Sequence, residues 1–189
     1  MENRKLEQHK VAILATDGFE QSELQEPMKA LISEGATVQV VSLEAGEIRG
    51  WEKGNWAMTP VHADLSVDRA NPAEYTGLVL PGGVMNPDQL RRHRHVIDFI
   101  GGFAELGKPI AAICHAPWLL IEAELTKGKT LTSFYSIRKD LENAGANWVD
   151  QEVVTDKSIT TSRNPNDLEA FNQRLIEQML AETQSSSSV

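Results

Sequence analysis

This 189-residue chain has a single cysteine, Cys114. One thiol can form neither an internal disulfide nor a cysteine-rich zinc framework, and it fits a reducing compartment. Long apolar runs are missing too. No stretch approaches the roughly 18 consecutive apolar residues needed to span a membrane, and the opening Met-Glu-Asn-Arg-Lys has no apolar signal core. The expected location is therefore cytoplasmic. Basic charge is in deficit, with 18 Lys and Arg against 27 Asp and Glu and a net charge of -9. That balance argues against a nucleic-acid or anionic-membrane surface. The one concentration of positive charge, Arg91, Arg92 and Arg94 interleaved with His93 and His95, reads as a solvated face.

Further absences narrow the chemistry. No G-x-G-x-x-G follows the first strand, so Gly18 alone offers no pyrophosphate cradle, and phosphate-transfer motifs are lacking. The five histidines are His9, His62, His93, His95 and His115. None lies beyond residue 115, which excludes a nucleophile completed by a remote C-terminal histidine. His93, His95 and Cys114 match no zinc-ligand spacing, and neither metal nor cofactor is expected.

What is present is an ordinary soluble composition, 41% hydrophobic and 24% charged, at a length suited to one two-sided core. One domain is expected over residues 9–182, after a polar leader of residues 1–8 and before a serine-rich, unstructured tail of residues 183–189. Val11 to Ala15 reads as a buried strand ending in Thr16-Asp17-Gly18-Phe19-Glu20. Leu24, Met28, Leu31 and Ile32 then recur at helical spacing, Glu34-Gly35 stops the helix, and Thr37 to Leu43 is strand-like. Ile48 and Trp51, or Trp56 and Met58, are candidates for short hairpin strands, and the two tryptophans serve either packing or a subunit contact. Val61 to Val67 is a weaker strand. Gly77 to Leu80 is a buried strand running into Pro81-Gly82-Gly83, and one helix is expected from Gln89 to about Gly107. Alternation continues through Thr130 to Thr132, Ile137 to Ala144, Trp148 to Thr155 and Ser158 to Thr161. Asn164-Pro165 opens a last helix. The sum is a doubly wound α/β sandwich with a mainly parallel sheet.

The most informative stretch is Lys108 to Leu120. Ile110 to Ile113 is a short buried strand, and from Ala116 the pattern becomes helical, with Pro117 acceptable in a first turn. Cys114 therefore falls in a strand-to-helix turn, flanked at two residues' distance by Ala112 and Ala116. Such a nucleophile elbow exposes one side chain at the sheet edge and aims backbone N–H groups at it. The plainer alternative is a small buried hydrophobe. Glu20, Gly82-Gly83 and Cys114-His115 all follow strands at the same edge, where ligands of open α/β sheets bind. Glu20 is the candidate carboxyl beside the sulfur, or else an acid in a helix's first turn. The amides near Gly82, Gly83 and His115 are candidate oxyanion donors, or Gly82-Gly83 is simply a turn. His115 could relay a proton, although adjacent side chains normally diverge.

Together, Asp17-Gly-Phe-Glu20, Leu80-Pro-Gly-Gly83, Ile113-Cys-His-Ala-Pro117, Asn143-Ala-Gly-Ala-Asn-Trp-Val-Asp150 and Thr161-Ser-Arg-Asn-Pro165 resemble the PfpI family. This is the bacterial and archaeal branch of the superfamily that includes the parkinsonism-associated protein deglycase and the class I glutamine amidotransferase domains. The resemblance implies a flavodoxin-like fold, Cys114 as nucleophile or redox centre, Glu20 hydrogen-bonded to it and Gly83 in the oxyanion site. It also implies self-association into dimers that can stack into hexamers. In protease-like members an acid after Pro-Gly-Gly, contributed by a neighbouring subunit, completes the histidine; the nearest match is Asp88, one methylene shorter than glutamate and one residue later. Three functions follow from the resemblance: a stress-response hydrolase or lyase acting on reactive aldehydes or glycated adducts, of glyoxalase or deglycase type; a non-catalytic sensor that oxidises at Cys114; or an intracellular cysteine peptidase. The partners implied are small carbonyl compounds or damaged proteins, with no nucleic acid or membrane.

Overall fold

A computed structural model describes residues 4–186, with side chains through residue 181. A seven-stranded sheet forms the centre. Its strands are β1 (Lys10–Leu14), β2 (Thr37–Ser42), β3 (Leu65–Ser66), β4 (Gly77–Leu80), β5 (Ile110–Ile113), β6 (Val153–Asp156) and β7 (Ile159–Ser162), in the spatial order β6-β7-β5-β4-β1-β2-β3. All neighbours run parallel except β6 and β7, which form an antiparallel hairpin at one edge. The helices are α1 (Gln21–Ser33), α2 (Met85–Leu90), α3 (Arg94–Glu105), α4 (Pro117–Glu122), α5 (Arg138–Asn143) and α6 (Leu168–Ser186).

β4 and β5, and β1 after Lys10, are apolar because both faces of the sheet are covered there. Successive residues then divide between two cores, as the strand period requires. Ala12, Leu14, Leu78, Leu80, Ile110 and Ala112 face one side, against Phe99, Phe103 and Leu119 from α3 and α4. Val11, Ile13, Val79, Ala111 and Ile113 face the other, against Leu24 and Leu31 of α1 and Phe171, Leu175 and Met179 of α6. This is the flavodoxin-like, doubly wound α/β fold expected from the sequence. The order reverses at the β1–β4 boundary, since β1 leads outward to β2 on one flank and β4 leads to β5 on the other. The carboxyl ends of β1, β4 and β5 therefore lie side by side at the switch point, where ligands of such sheets bind.

The helix expected over Gln89 to Gly107 is two helices. Pro87, tolerated in a first turn, lies in an earlier short helix, α2, and His93 adopts extended backbone as the N-cap of α3. The polar leader is not wholly peripheral, for Leu6 is fully buried and its amide donates to Glu34 O at 2.8 Å. At the other end α6 runs through Ser186, into the segment expected to be unstructured, and 187–189 lie outside the described residues. Trp51 and Trp56 pair across a two-residue hairpin with their rings edge to face at 5.5 Å. In α1, Pro27 sits inside the helix, so no amide is available there to close on the carbonyl of Glu23, four residues earlier.

Candidate active site

Cys114 follows β5 with φ +66°, a left-handed conformation that only glycine enters without strain. Such a residue costs about 1–3 kcal/mol and persists when its surroundings hold it there. Here the Cys114 amide donates to Ser162 O at 3.0 Å, and its carbonyl accepts from Phe134 N–H at 2.8 Å. The kink makes the side chains of Cys114 and His115 converge. His115 Nδ1 lies 3.1 Å from the sulfur, so the adjacent pair is in direct contact. The other ring nitrogen, Nε2, lies 3.0 Å from Ser136 Oγ. Phe134 stacks on the imidazole at 4.8 Å, and Trp118 packs against it edge-on at 5.3 Å.

The carboxyl at the sulfur is that of Glu23, not Glu20. Glu23 is fully buried in the first turn of α1, accepts the Gly82 amide through Oε2 at 2.8 Å and hydrogen-bonds the sulfur. Its other oxygen, Oε1, is buried without a hydrogen-bond partner among the described residues. Burial first, and then the charge of Glu20, pushes the Glu23 carboxyl up to about 8, against the opposing Gly82 amide. Glu20 is instead the extended N-cap of α1. Its amide donates to Gly82 O at 3.3 Å, and its carboxylate accepts from Ser22 Oγ at 3.4 Å; burial and nearby Glu52 raise its pKa.

The Pro-Gly-Gly loop divides its amides. Gly82 N–H serves Glu23 and is therefore not a free oxyanion donor, whereas Gly83 and His115 direct their N–H groups at the sulfur. Both glycines are required by close approach. A Cβ on Gly82 would sit 2.6 Å from Cys114 Cβ, and one on Gly83, at φ +77°, would sit 2.5 Å from Gly18 O. Asn86, fully buried, ties the loops together: it accepts from Thr16 N–H at 2.8 Å and donates to Pro81 O at 2.9 Å. The sequence reading passed over Asn86, Glu23 and Ser136.

Asp88 lies on an exposed face of α2, and within the chain no hydrogen bond or ion pair joins its side chain to His115 among the described residues. Two members of the basic cluster are engaged with acids, Arg91 with Glu122 at 2.6 Å and Arg94 with Asp98 at 2.7 Å, while the His93 and His95 rings lie tilted against each other at 5.4 Å. Among the described residues no group of three or more His, Cys, Asp or Glu is placed to hold a metal, and no helix is long and apolar enough to cross a membrane.

Burial, and then the Glu23 charge, pushes the Cys114 thiol up, while the Gly83 and His115 amides pull the other way. Burial lowers His115. At neutral pH the site therefore holds a thiol, a mostly protonated carboxyl and a neutral imidazole. His115 Nδ1 is the ring nitrogen within reach of the thiol, and the Gly83 and His115 amides and the Glu23 carboxyl surround the sulfur.

Residues 9–178 match the DJ-1/PfpI family. The chain is 42% identical over 168 residues to protein/nucleic acid deglycase 2 of Escherichia coli, covering 88% of this chain and 95% of that protein. It is 43% identical over 164 residues to YraA of Bacillus subtilis, which carries a provisional cysteine-protease label, covering 87% and 94% of the two chains. Among solved structures, Drosophila melanogaster DJ-1beta superposes with a TM-score of 0.83 at 25% identity, covering 94% of each chain. A two-domain protein from Anabaena variabilis, with DJ-1/ThiJ/PfpI-like and ferritin-like domains, gives 0.85 at 35% identity; the match covers 90% of this chain and 48% of that one. An elbow cysteine between Glu23 and the Pro-Gly-Gly amides, on a fold and sequence shared at this level, places the chain in the DJ-1/PfpI family.

Proposed function

We propose that this protein is a cytoplasmic, cysteine-dependent hydrolase or lyase acting on reactive aldehydes or their glycated adducts. The observation that carries the reading is the Cys114 sulfur held 3.1 Å from His115 Nδ1 with two backbone amides and the Glu23 carboxyl on it. Relatives named as deglycases support it. In this reading Sγ adds to the aldehyde carbon, the thiol proton passes to His115 Nδ1, and the former carbonyl oxygen takes it up, giving a hemithioacetal. For a 2-oxoaldehyde, moving the C1 proton to C2 and the C1 hydroxyl proton to the C2 oxygen converts this to a 2-hydroxy thioester, and water releases the hydroxy acid and restores the thiol. The balance is one aldehyde and one water to one hydroxy acid, with no external oxidant. For a hemiaminal adduct of an amine, Sγ forms its bond to the same carbon as the C–N bond breaks, and the amine leaves with the thiol proton passed through His115, giving the same hemithioacetal.

A sensor role, with Glu23 donating to an oxidised sulfur, rests on the same carboxyl. Peptidase chemistry depends on Asp88 arriving from a second copy and is less supported, because His115 Nε2 already meets Ser136. Purified protein given methylglyoxal is expected to form lactate, and Cys114→Ser to form none. Equal turnover by the two proteins, or none by either, overturns the enzymatic reading; absent turnover combined with peroxide oxygen added only at Cys114 favours the sensor.

A further inference from the structure

The histidine of this site has a hydroxyl behind it that neither the reaction above nor the sequence motifs assign. Ser136 lies in the 3₁₀ turn Tyr135–Ile137, and two contacts bind that segment to the elbow. Phe134 N–H donates to Cys114 O at 2.8 Å, the Phe134 ring stacks on His115, and Ile137 is buried beneath the turn. Trp148 Nε1–H donates to Ser133 Oγ at 3.0 Å, and Ser133 Oγ donates to Phe134 O at 2.9 Å, which anchors the approach to the turn. The hydroxyl is thus delivered to Nε2 at 3.0 Å by backbone already fastened to the nucleophile.

We propose that Ser136 is the positioning residue of His115: its hydroxyl accepts the Nε2–H and so fixes the tautomer whose Nδ1 lone pair faces the Cys114 thiol. The argument is one of complementary donors. With the thiol as donor across the 3.1 Å contact, Nδ1 accepts, the remaining ring proton sits on Nε2, and Ser136 Oγ at 3.0 Å is the acceptor within reach. When the thiol proton moves to Nδ1, the imidazolium keeps its Nε2–H on the same oxygen. A neutral hydroxyl raises ring basicity less than a carboxylate would, which suits a base that takes the proton during attack rather than holding a standing ion pair. The relay is complete within one chain, and a carboxylate from a second copy would have to displace Ser136 to reach Nε2.

This inference builds on the proposed nucleophilic role of Cys114 but is tested without an aldehyde. The charged groups around the pair are Glu23 at the sulfur, Arg91 and Asp140 on Trp118, and Arg138 and Lys139 on Glu142. Ser136 is exposed, so removing its hydroxyl leaves the core untouched. Histidine ¹⁵N spectra and the pH profile of iodoacetamide alkylation are compared for the wild-type protein, Ser136→Ala and Ser136→Thr. In the wild type the His115 proton is expected on Nε2. Ser136→Ala should mix the tautomers and slow alkylation near pH 7 about five-fold, the factor for one lost neutral hydrogen bond. Ser136→Thr, which retains the hydroxyl, should restore both. Unchanged ¹⁵N shifts and an unchanged alkylation profile in Ser136→Ala overturn the proposal, and so does a threonine variant that behaves like alanine. Because neither readout uses an aldehyde, the carbonyl chemistry can fail while this result stands.

Discussion

Replacing Glu23 by glutamine tests the electrostatics of the site through the stability of the whole chain. The carboxyl titrates at about 8 in the folded protein against 4.5 for an unperturbed glutamate. Between those values the folded chain holds a proton that the unfolded chain has lost, so raising the pH favours unfolding. At pH 7 the penalty, relative to acid conditions, is about 3 kcal/mol, from 1.36 kcal/mol per pH unit, and it levels off once the pH passes the folded value. That is a large share of the 5–15 kcal/mol typical of domains. Glutamine keeps a carbonyl for the Gly82 amide, turns an NH₂ toward sulfur and cannot ionise, so any packing change it brings is independent of pH. Opposing titrations, such as that of His115, occur in both proteins and cancel in the difference. Urea unfolding at intervals from pH 4.5 to 8.5 should therefore show Glu23→Gln gaining on the wild type by about 3 kcal/mol up to pH 7, then more slowly to a plateau. Two parallel stability curves would refute the raised carboxyl.

The same substitution should lower the Cys114 thiol pKa, because at alkaline pH it removes the carboxylate beside the sulfur, while Glu20→Ala should leave it near the wild-type value; alkylation rate against pH reads both, and the reverse pattern would restore Glu20 as the partner. Gly82→Ala should destabilise the protein by about 2 kcal/mol or more and slow thiol alkylation, since the new Cβ would meet Cys114 Cβ and Glu23 Oε2, each at 2.6 Å, and Ile113 O at 2.7 Å. A wild-type melting temperature in that variant would show that the loop can move away.

The sheet was legible because β1, β4 and β5 are short apolar runs closed by turn residues, and because consecutive β-α units leave few topologies open. The elbow was legible for the same reason. Proximity to the turn points to Glu20 as the partner of Cys114, whereas helical phase points to Glu23. Glu23 stands one turn before Pro27 and two before Leu31, on the buried stripe of α1, and an acid in a core stripe is the signal that separates it from the N-cap Glu20. The Cys114–His115 contact could not be read from spacing, since neighbouring side chains converge only after the backbone enters the left-handed region at residue 114. Ser136 is 21 residues from His115 and is brought there by the packing of Phe134 and Ile137, which no local pattern encodes.

Pro27 gives the site a mechanical character. With no amide at residue 27 to close on the Glu23 carbonyl, the first turn of α1 lacks one helical hydrogen bond to the rest of its helix while it is tied to the Pro-Gly-Gly loop, through Gly82 N–H to Glu23 and Glu20 N–H to Gly82 O. Fraying of that turn and withdrawal of the carboxyl from the sulfur are then one local opening event, separate from global unfolding. Such an opening would change the surroundings of the sulfur without unfolding the sheet beneath it, so the rigidity of a single helical turn bears on how the thiol is shielded.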